Sequence, residues 1–129
     1  MHRKEIRIYY EDTDLAGIVY YANYLKFIER ARTDWLRDLG IDQGAMKEDG
    51  FVFAVRRVEA DYLSPARFDD LLMVESALSH ATAARIVLDQ RILRGDGVIF
   101  TARVTLACLG RDGRPVRLPS GLAGLLGQS

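Results

Sequence analysis

The order of hydrophobic and polar residues predicts one strand, one long helix and then a series of strands. Residues 4–10 alternate between apolar and charged positions, which is typical of a short strand with one buried face. In residues 23–39 the period lengthens to about 3.6 residues, as in an amphipathic helix. Asn23 is suited to cap the start of this helix, and Gly40 to end it. The predicted apolar stripe consists of Tyr24, Phe27, Ile28, Ala31, Trp35 and Leu39.

The pattern in the second half of the chain predicts strands joined mainly by short turns. In residues 51–62 the apolar positions change from odd to even at Arg56–Arg57, as a β-bulge would produce, because one extra residue exchanges the two faces. A glycine-containing turn at residues 94–97 separates the last two predicted strands, and another at residues 110–113 follows the last one. Further strands are predicted at residues 71–78, 84–93 and 98–109.

This order predicts an α+β fold, because short connections favour antiparallel pairing of the strands against one helix. About five strands make a sheet roughly 24 Å wide, whereas a helix covers only about 10–12 Å. We therefore expect the sheet to curl around the helix. We also expect its other face to carry Ile99, Ala107 and Leu109, and a homo-oligomer to cover them.

Composition narrows the possible partners. The 129 residues fit one domain, and 18 Lys and Arg balance 18 Asp and Glu, which predicts no nucleic-acid partner. A lone cysteine, Cys108, excludes an intramolecular disulfide and a Cys-rich zinc site. No apolar run is long enough to span a membrane, and the charged N-terminal segment does not read as an export signal. We expect a cytoplasmic protein with a loosely ordered tail at residues 120–129.

The clearest candidate for chemistry is Asp14, in an acidic loop that Gly17 closes before the long helix. Free N–H groups at a helix start suit a carbonyl that becomes an oxyanion, and a nearby carboxylate can act as nucleophile or general base. Acidic loop residues are, however, most often turn formers. A calcium loop is excluded because Ala16 and Asn23 stand where ligands are needed. No metal site and no serine-nucleophile motif are predicted.

A longer motif resembles a known family. Residues 10–24, YEDTDLAGIVYYANY, are similar to the signature of the 4-hydroxybenzoyl-CoA thioesterase family, which has the hotdog fold. Residues 27–33, FIERART, resemble its tol–pal-associated acyl-CoA thioesterase group. The resemblance extends over about residues 4–119 and includes DYLSPA at 61–66 and GRPVRLP at 113–119. It implies a single hotdog thioesterase domain over residues 1–119, with the curled sheet wrapped around the one long helix.

The resemblance also implies roles for individual residues. Asp14 matches the family's catalytic carboxylate, and Tyr21 matches the position whose backbone N–H polarises the thioester carbonyl. Related proteins carry Tyr or His at that position, which assigns the role to the backbone. Gly17 lets the loop turn tightly under the substrate. Arg114 and Arg117 match basic residues that contact the phosphates of coenzyme A, although a solvated basic turn is an equal alternative.

The implied activity is hydrolysis of acyl-CoA to a carboxylic acid and coenzyme A, without a metal or redox cofactor. Asp14 either attacks the carbonyl or activates a water; the sequence leaves both open. An acyl carrier protein thioester is an alternative substrate, and a non-catalytic role beside a cell-envelope tol–pal system is an alternative function. A dehydratase is disfavoured because no His lies in the loop. The resemblance also implies a homo-oligomer, either a dimer or a homotetramer built as a dimer of dimers.

Overall fold

The computed structural model describes residues 1–129, and its five strands form one antiparallel sheet. The strand order is β1-β3-β4-β5-β2, which places β1 and β2 at the two edges. In chain order the elements are β1 (His2–Arg7), a 3₁₀ turn (Tyr10–Asp12), α1 (Asn23–Asp38), α2 (Gln43–Glu48), β2 (Val52–Tyr62), β3 (Leu71–Ala81), β4 (Arg85–Arg94), β5 (Gly97–Leu109) and α3 (Leu122–Gln128). The sheet packs on α1 in the hotdog arrangement, so the predicted α+β class is confirmed.

The apolar stripe of α1 fills the centre of the core, as its 3.6-residue period predicts. Trp35 is 1% exposed and Phe100 of β5 is fully buried; they are the two largest of the fully buried side chains. The buried residues of α1 are Tyr24, Phe27, Ile28, Ala31, Trp35 and Leu36. No helix is both long and apolar enough to cross a membrane.

Arg32 interrupts the apolar stripe and is held by a buried amide. Its Nη1 donates to Gln90 Oε1 at 3.0 Å, and Gln90 Nε2 donates to the Ile28 carbonyl at 3.0 Å and to Ser76 Oγ at 2.9 Å. Burial lowers the pKa of Arg32 below its ordinary value, against the opposing effect of nearby Glu29. The polar groups of Gln90 are satisfied, so the sheet tolerates an amide in its core.

Register shifts in the sheet decide which side chains face the core. The shift between Val55 and Arg57 confirms the bulge predicted in β2. A second shift lies between β4 and β5, where Ile92 opposes Phe100 and Leu93 opposes Val98. Ile99 is therefore the extra residue of a bulge, and it turns into the core, where it is 3% exposed.

The prediction that Ile99, Ala107 and Leu109 form an exposed apolar face is wrong for the first two, since the single chain already buries Ile99 and Ala107 and leaves Leu109 half-buried. That face of the sheet carries ion pairs instead. Glu75 accepts hydrogen bonds from Arg3 at 2.7 Å and Arg91 at 2.5 Å. Burial of these apolar side chains thus gives no reason for an oligomer, and any such reason must come from elsewhere on the surface.

The chain ends also differ from the predictions. β1 stops at Arg7, and the chain then turns, because the backbone N–H of Tyr9 donates to Asp12 Oδ2 at 2.8 Å. Tyr10 is consequently exposed and does not continue the strand. Where a loose tail was expected, the structure has the helix α3: Leu122 and Leu126 lie four residues apart on it and are buried in the core. Their one-turn spacing gives the short helix an apolar face despite its glycines.

Candidate active site

The loop that carries Asp14 is a tight turn closed by backbone hydrogen bonds between its two sides. Thr13 pairs with Val19, the Asp14 N–H donates to the Ile18 carbonyl at 2.9 Å, and the Gly17 N–H donates to the Asp14 carbonyl at 3.0 Å. Gly17 has φ +78°, a left-handed conformation that favours glycine. A Cβ there would meet no atom within 4 Å, so the need for glycine is conformational and not steric.

The Asp14 carboxylate is exposed and only partly engaged. Its Oδ1 accepts one hydrogen bond, from the Ala16 N–H at 2.9 Å, and Oδ2 accepts none from the chain. Asp12 is used differently: its Oδ2 accepts from Tyr9, and its carbonyl accepts from the Tyr20 N–H and from Asn23 Nδ2, each at 2.9 Å. Asp12 thus ties the loop to the start of α1, whereas Asp14 keeps an oxygen free for chemistry.

The start of α1 leaves backbone donors free. The capping residue is Ala22 and not Asn23 as predicted: Asn23 is the first residue of α1, and its side chain reaches back to the loop, where Nδ2 donates to the Asp12 carbonyl. An alanine cannot accept a hydrogen bond with its side chain. The N–H groups of Tyr21 and Ala22 donate to no acceptor within the chain. Such free donors at a helix start carry a partial positive charge and suit an oxyanion.

Tyr62, the last residue of β2, also reaches this helix start. Its hydroxyl donates to the Tyr21 carbonyl at 2.9 Å. Its ring centroid lies 6.2 Å from that of Tyr21, 5.3 Å from Tyr24 and 5.1 Å from Phe100. Partial burial, with smaller contributions from Tyr21 and Tyr24, raises the pKa of Tyr62 above its ordinary value of 10.0, so it stays a donor at neutral pH. Tyr62 was not among the residues predicted for the site, because only the three-dimensional fold brings it to Tyr21.

Large apolar side chains are exposed around the loop. Leu15 is fully exposed, and the rings of Tyr10 and Phe68 are in edge contact with centroids 6.4 Å apart. Other exposed members of this surface are Tyr9, Tyr20, Tyr21 and Leu63. Exposed apolar side chains on both sides of one loop make it a candidate binding surface.

Arg114 and Arg117 lie at the opposite end of the sheet from Tyr62. Pro115 pairs with Leu109, which itself faces Val52 at the first residue of β2, while Tyr62 is at its last. Ten residue steps along a strand span about 33 Å. Both arginines are exposed, and the nearest carboxylate contact is Arg114 with Asp112 at 3.8 Å. One chain therefore places Asp14, Gly17 and Tyr21 on the loop that leads into α1, and the two arginines at the far end of the sheet.

Known proteins share this sequence and fold. Residues 9–126 match the model of the thioesterase-like superfamily. The acyl-CoA thioesterase YbgC of Haemophilus influenzae is 44% identical over 88% of this chain and 85% of its own length. The acyl-CoA thioester hydrolase YbgC of Escherichia coli O6:H1 is 36% identical over 84% of this chain and 82% of its own.

Among solved structures, a probable thioesterase from Bartonella henselae superposes with a TM-score of 0.87 at 38% identity, covering 92% of this chain and 98% of its own. The family match spans nearly the whole chain, and the likeness confirms the resemblance seen in the motif around Asp14. The chain belongs to the thioesterase-like superfamily and has that superfamily's hotdog fold.

Proposed function

We propose that this protein hydrolyses acyl-CoA, converting the thioester R–CO–S–CoA and one water into a carboxylic acid and free coenzyme A. The observation that carries the proposal is that one loop holds a carboxylate with a free oxygen, Asp14, and leads directly to a free N–H, that of Tyr21, at the start of α1. The activities named for the YbgC relatives support the same reaction.

The two groups have complementary tasks. The Tyr21 N–H donates a hydrogen bond to the thioester oxygen and stabilises the negative charge that develops there, in a direction set by the helix start. Asp14 Oδ2 either attacks the carbonyl carbon, which expels the CoA thiolate and leaves a mixed anhydride that water cleaves, or removes a proton from the attacking water. Single turnover in H₂¹⁸O tests for the anhydride route, because ¹⁸O enters the Asp14 carboxylate only when water attacks the Asp14 carbonyl of the anhydride.

The test of the proposal is Asp14→Asn, with Glu11→Gln as its matched control. Both substitutions change an exposed carboxylate of the same loop into an amide, but the side chain of Glu11 makes no hydrogen bond. We expect Asp14→Asn to lower kcat at least about 10²–10⁴-fold and Glu11→Gln to change it little. Release of thiol is followed with short, long and aromatic acyl-CoAs and with acyl carrier protein thioesters. An Asp14→Asn enzyme with more than about a tenth of wild-type kcat overturns the assignment.

We propose further that two copies complete the site through β2. This edge strand pairs only with β5, and it exposes Val52, Val55 and Val58. Unpaired edges of this length are templates for another strand. Two β2 strands related by a two-fold axis run antiparallel, so the Val52 end of one copy lies beside the Tyr62 end of the other. That arrangement carries Arg117 of each copy toward the Asp14 loop of its partner, where it can meet the phosphates of coenzyme A.

Mixing two defective variants tests this arrangement. If Asp14 and Arg117 of one site come from different copies, a dimer of Asp14→Asn with Arg117→Ala has one intact site and one doubly altered site. At low substrate concentration an equal mixture, after subunit exchange, should regain about a quarter of wild-type activity. No gain over the unmixed variants, or a 14.5 kDa monomer in sedimentation, contradicts the proposal. A cytoplasmic location stays a prediction.

A further inference from the structure

We propose that Tyr62 is a positioning residue for this hydrolysis: by holding the Tyr21 carbonyl, its hydroxyl fixes the direction of the Ala22 N–H, the second free donor at the start of α1. The inference rests on the proposed function, since that N–H matters only if it meets a thioester oxygen together with the Tyr21 N–H. It concerns a side chain on β2, outside the loop and the helix that carry the other proposed groups.

The first step is that α1 itself does not engage the Tyr21 carbonyl. In a regular helix this carbonyl would accept from the N–H four residues later. Here the Leu25 N–H donates instead to the Ala22 carbonyl, at 3.2 Å. The Tyr62 hydroxyl takes the place of that missing donor, at 2.9 Å.

The second step concerns the two peptide planes on either side of Tyr21. The Asn23 N–H donates to the Tyr20 carbonyl at 2.9 Å and fixes the plane that contains the Tyr21 N–H. The Tyr62 hydroxyl fixes the next plane, which contains the Ala22 N–H. Because a trans peptide points its N–H away from its carbonyl, both free donors are aimed once both carbonyls are held. A hydrogen bond to the carbonyl also polarises the N–H of the same peptide.

The third step is that the Tyr62 hydroxyl is itself held in place. Its ring packs against Tyr24 and Phe100, which are 3% and 0% exposed. These rings belong to α1 and β5, so the sheet positions the hydroxyl independently of the loop. The direction of the Ala22 N–H is thus tied to the sheet, which suits a site whose hydrogen bonds must be in place before the charge develops.

The variant that tests this is Tyr62→Phe, which removes the hydroxyl and keeps the ring. Tyr24→Phe is the matched control from the same aromatic cluster: it loses the hydrogen bond from the Ala66 N–H to Tyr24 Oη at 3.0 Å but leaves the Tyr21 carbonyl held. We expect Tyr62→Phe to lower kcat about tenfold with KM within about twofold, because an oxyanion contact acts mainly in the transition state. Tyr24→Phe should lower thermal stability and leave kcat within about twofold.

A spectroscopic readout separates positioning from folding. The probe is an acyl-dethia-CoA, a ketone in which a methylene replaces the thioester sulphur, labelled with ¹³C at the carbonyl. Its carbonyl stretch should fall to lower frequency on binding to the wild type and lose part of that shift in Tyr62→Phe. Incorporation of 4-aminophenylalanine at position 62, which restores a donor at the same place, should recover both the shift and kcat.

The outcomes distinguish the two proposals. If the carbonyl stretch of the probe is unshifted in the wild type, the N–H groups do not contact the carbonyl, and the proposed oxyanion site is wrong. If the carbonyl stretch shifts equally in the wild type and in Tyr62→Phe, the role of Tyr62 alone is overturned. The same follows if Tyr24→Phe loses as much kcat as Tyr62→Phe. If Tyr62→Phe fails to fold, the 4-aminophenylalanine variant carries the test: normal kcat and shift support the donor role, and loss of both in a folded protein refutes it.

Discussion

The short C-terminal helix α3 should contribute measurably to stability, and Leu126 is the residue that shows it. Leu126 is 2% exposed and joins the main core, where it lies near Trp35, Leu88 and Leu106. Truncation of a buried leucine to alanine typically costs about 2–5 kcal/mol. We expect the lower half of that range, about 2–3 kcal/mol, because α3 buries only two side chains and can detach as a unit before the sheet unfolds.

The assay is thermal unfolding followed by circular dichroism. An unfolding entropy of about 2.1 cal/mol/K per residue gives roughly 0.27 kcal/mol/K for 129 residues, so each 1 kcal/mol shifts Tm by about 4 °C. Leu126→Ala should therefore lower Tm by about 8–12 °C. The control is Leu125→Ala on the same turn of α3, where the side chain is 43% exposed and the loss should be small. Equal, small shifts in both variants would show that the segment is a loosely held tail after all.

Two other substitutions test the ion pairs and the basic turn. Arg91 and Arg3 hold the pKa of Glu75 below its ordinary value of 4.5, against the opposing effect of burial, so the stability from this charge is present above about pH 4.5 and is lost as the pH falls through the lowered pKa. Glu75→Gln should therefore be less stable than wild type at pH 7, by about 1.5–3 kcal/mol for its charged hydrogen bonds. The variant should also lose less stability than wild type on acidification, which urea unfolding at several pH values measures. Arg117→Ala should lower kcat/KM for acyl-CoA about tenfold, mostly through KM, and should leave an acyl-N-acetylcysteamine unaffected, since that thioester lacks the nucleotide; equal losses on both substrates would point to a structural role.

Features that depend on local pattern were predictable from the sequence. The period of α1, the face change at Val55–Arg57 and the glycine turn after Asp14 each follow from residues close together in the chain. The same local order carries the family resemblance around residues 10–24, which gave the fold and the candidate carboxylate. The interruption of the stripe by Arg32 was visible too, although its buried partner Gln90 was not.

The remaining features depend on contacts between distant parts of the chain. The bulge at Ile99 arises from the register of β5 against β4, and period alone placed that side chain on the wrong face. Asn23 has the right chemistry for a cap, but the Asp12 carbonyl, eleven residues earlier, competes for its side chain. The contact between Tyr62 and Tyr21 joins residues 41 apart in sequence and leaves no local signal.

The side chain of Tyr21 does not hold the start of α1 in place. The phenol of Tyr21 is 62% exposed and makes no hydrogen bond, so its identity does not hold the helix start in place. The side chains that hold it are Asn23 and Tyr62, together with the Asp12 carbonyl, and each bonds to backbone atoms. A site whose donors are backbone N–H groups needs fixed peptide planes more than it needs a particular side chain at the point of reaction. Substitutions at Asn23 or Tyr62 should therefore lower kcat more than substitution of Tyr21 by His does.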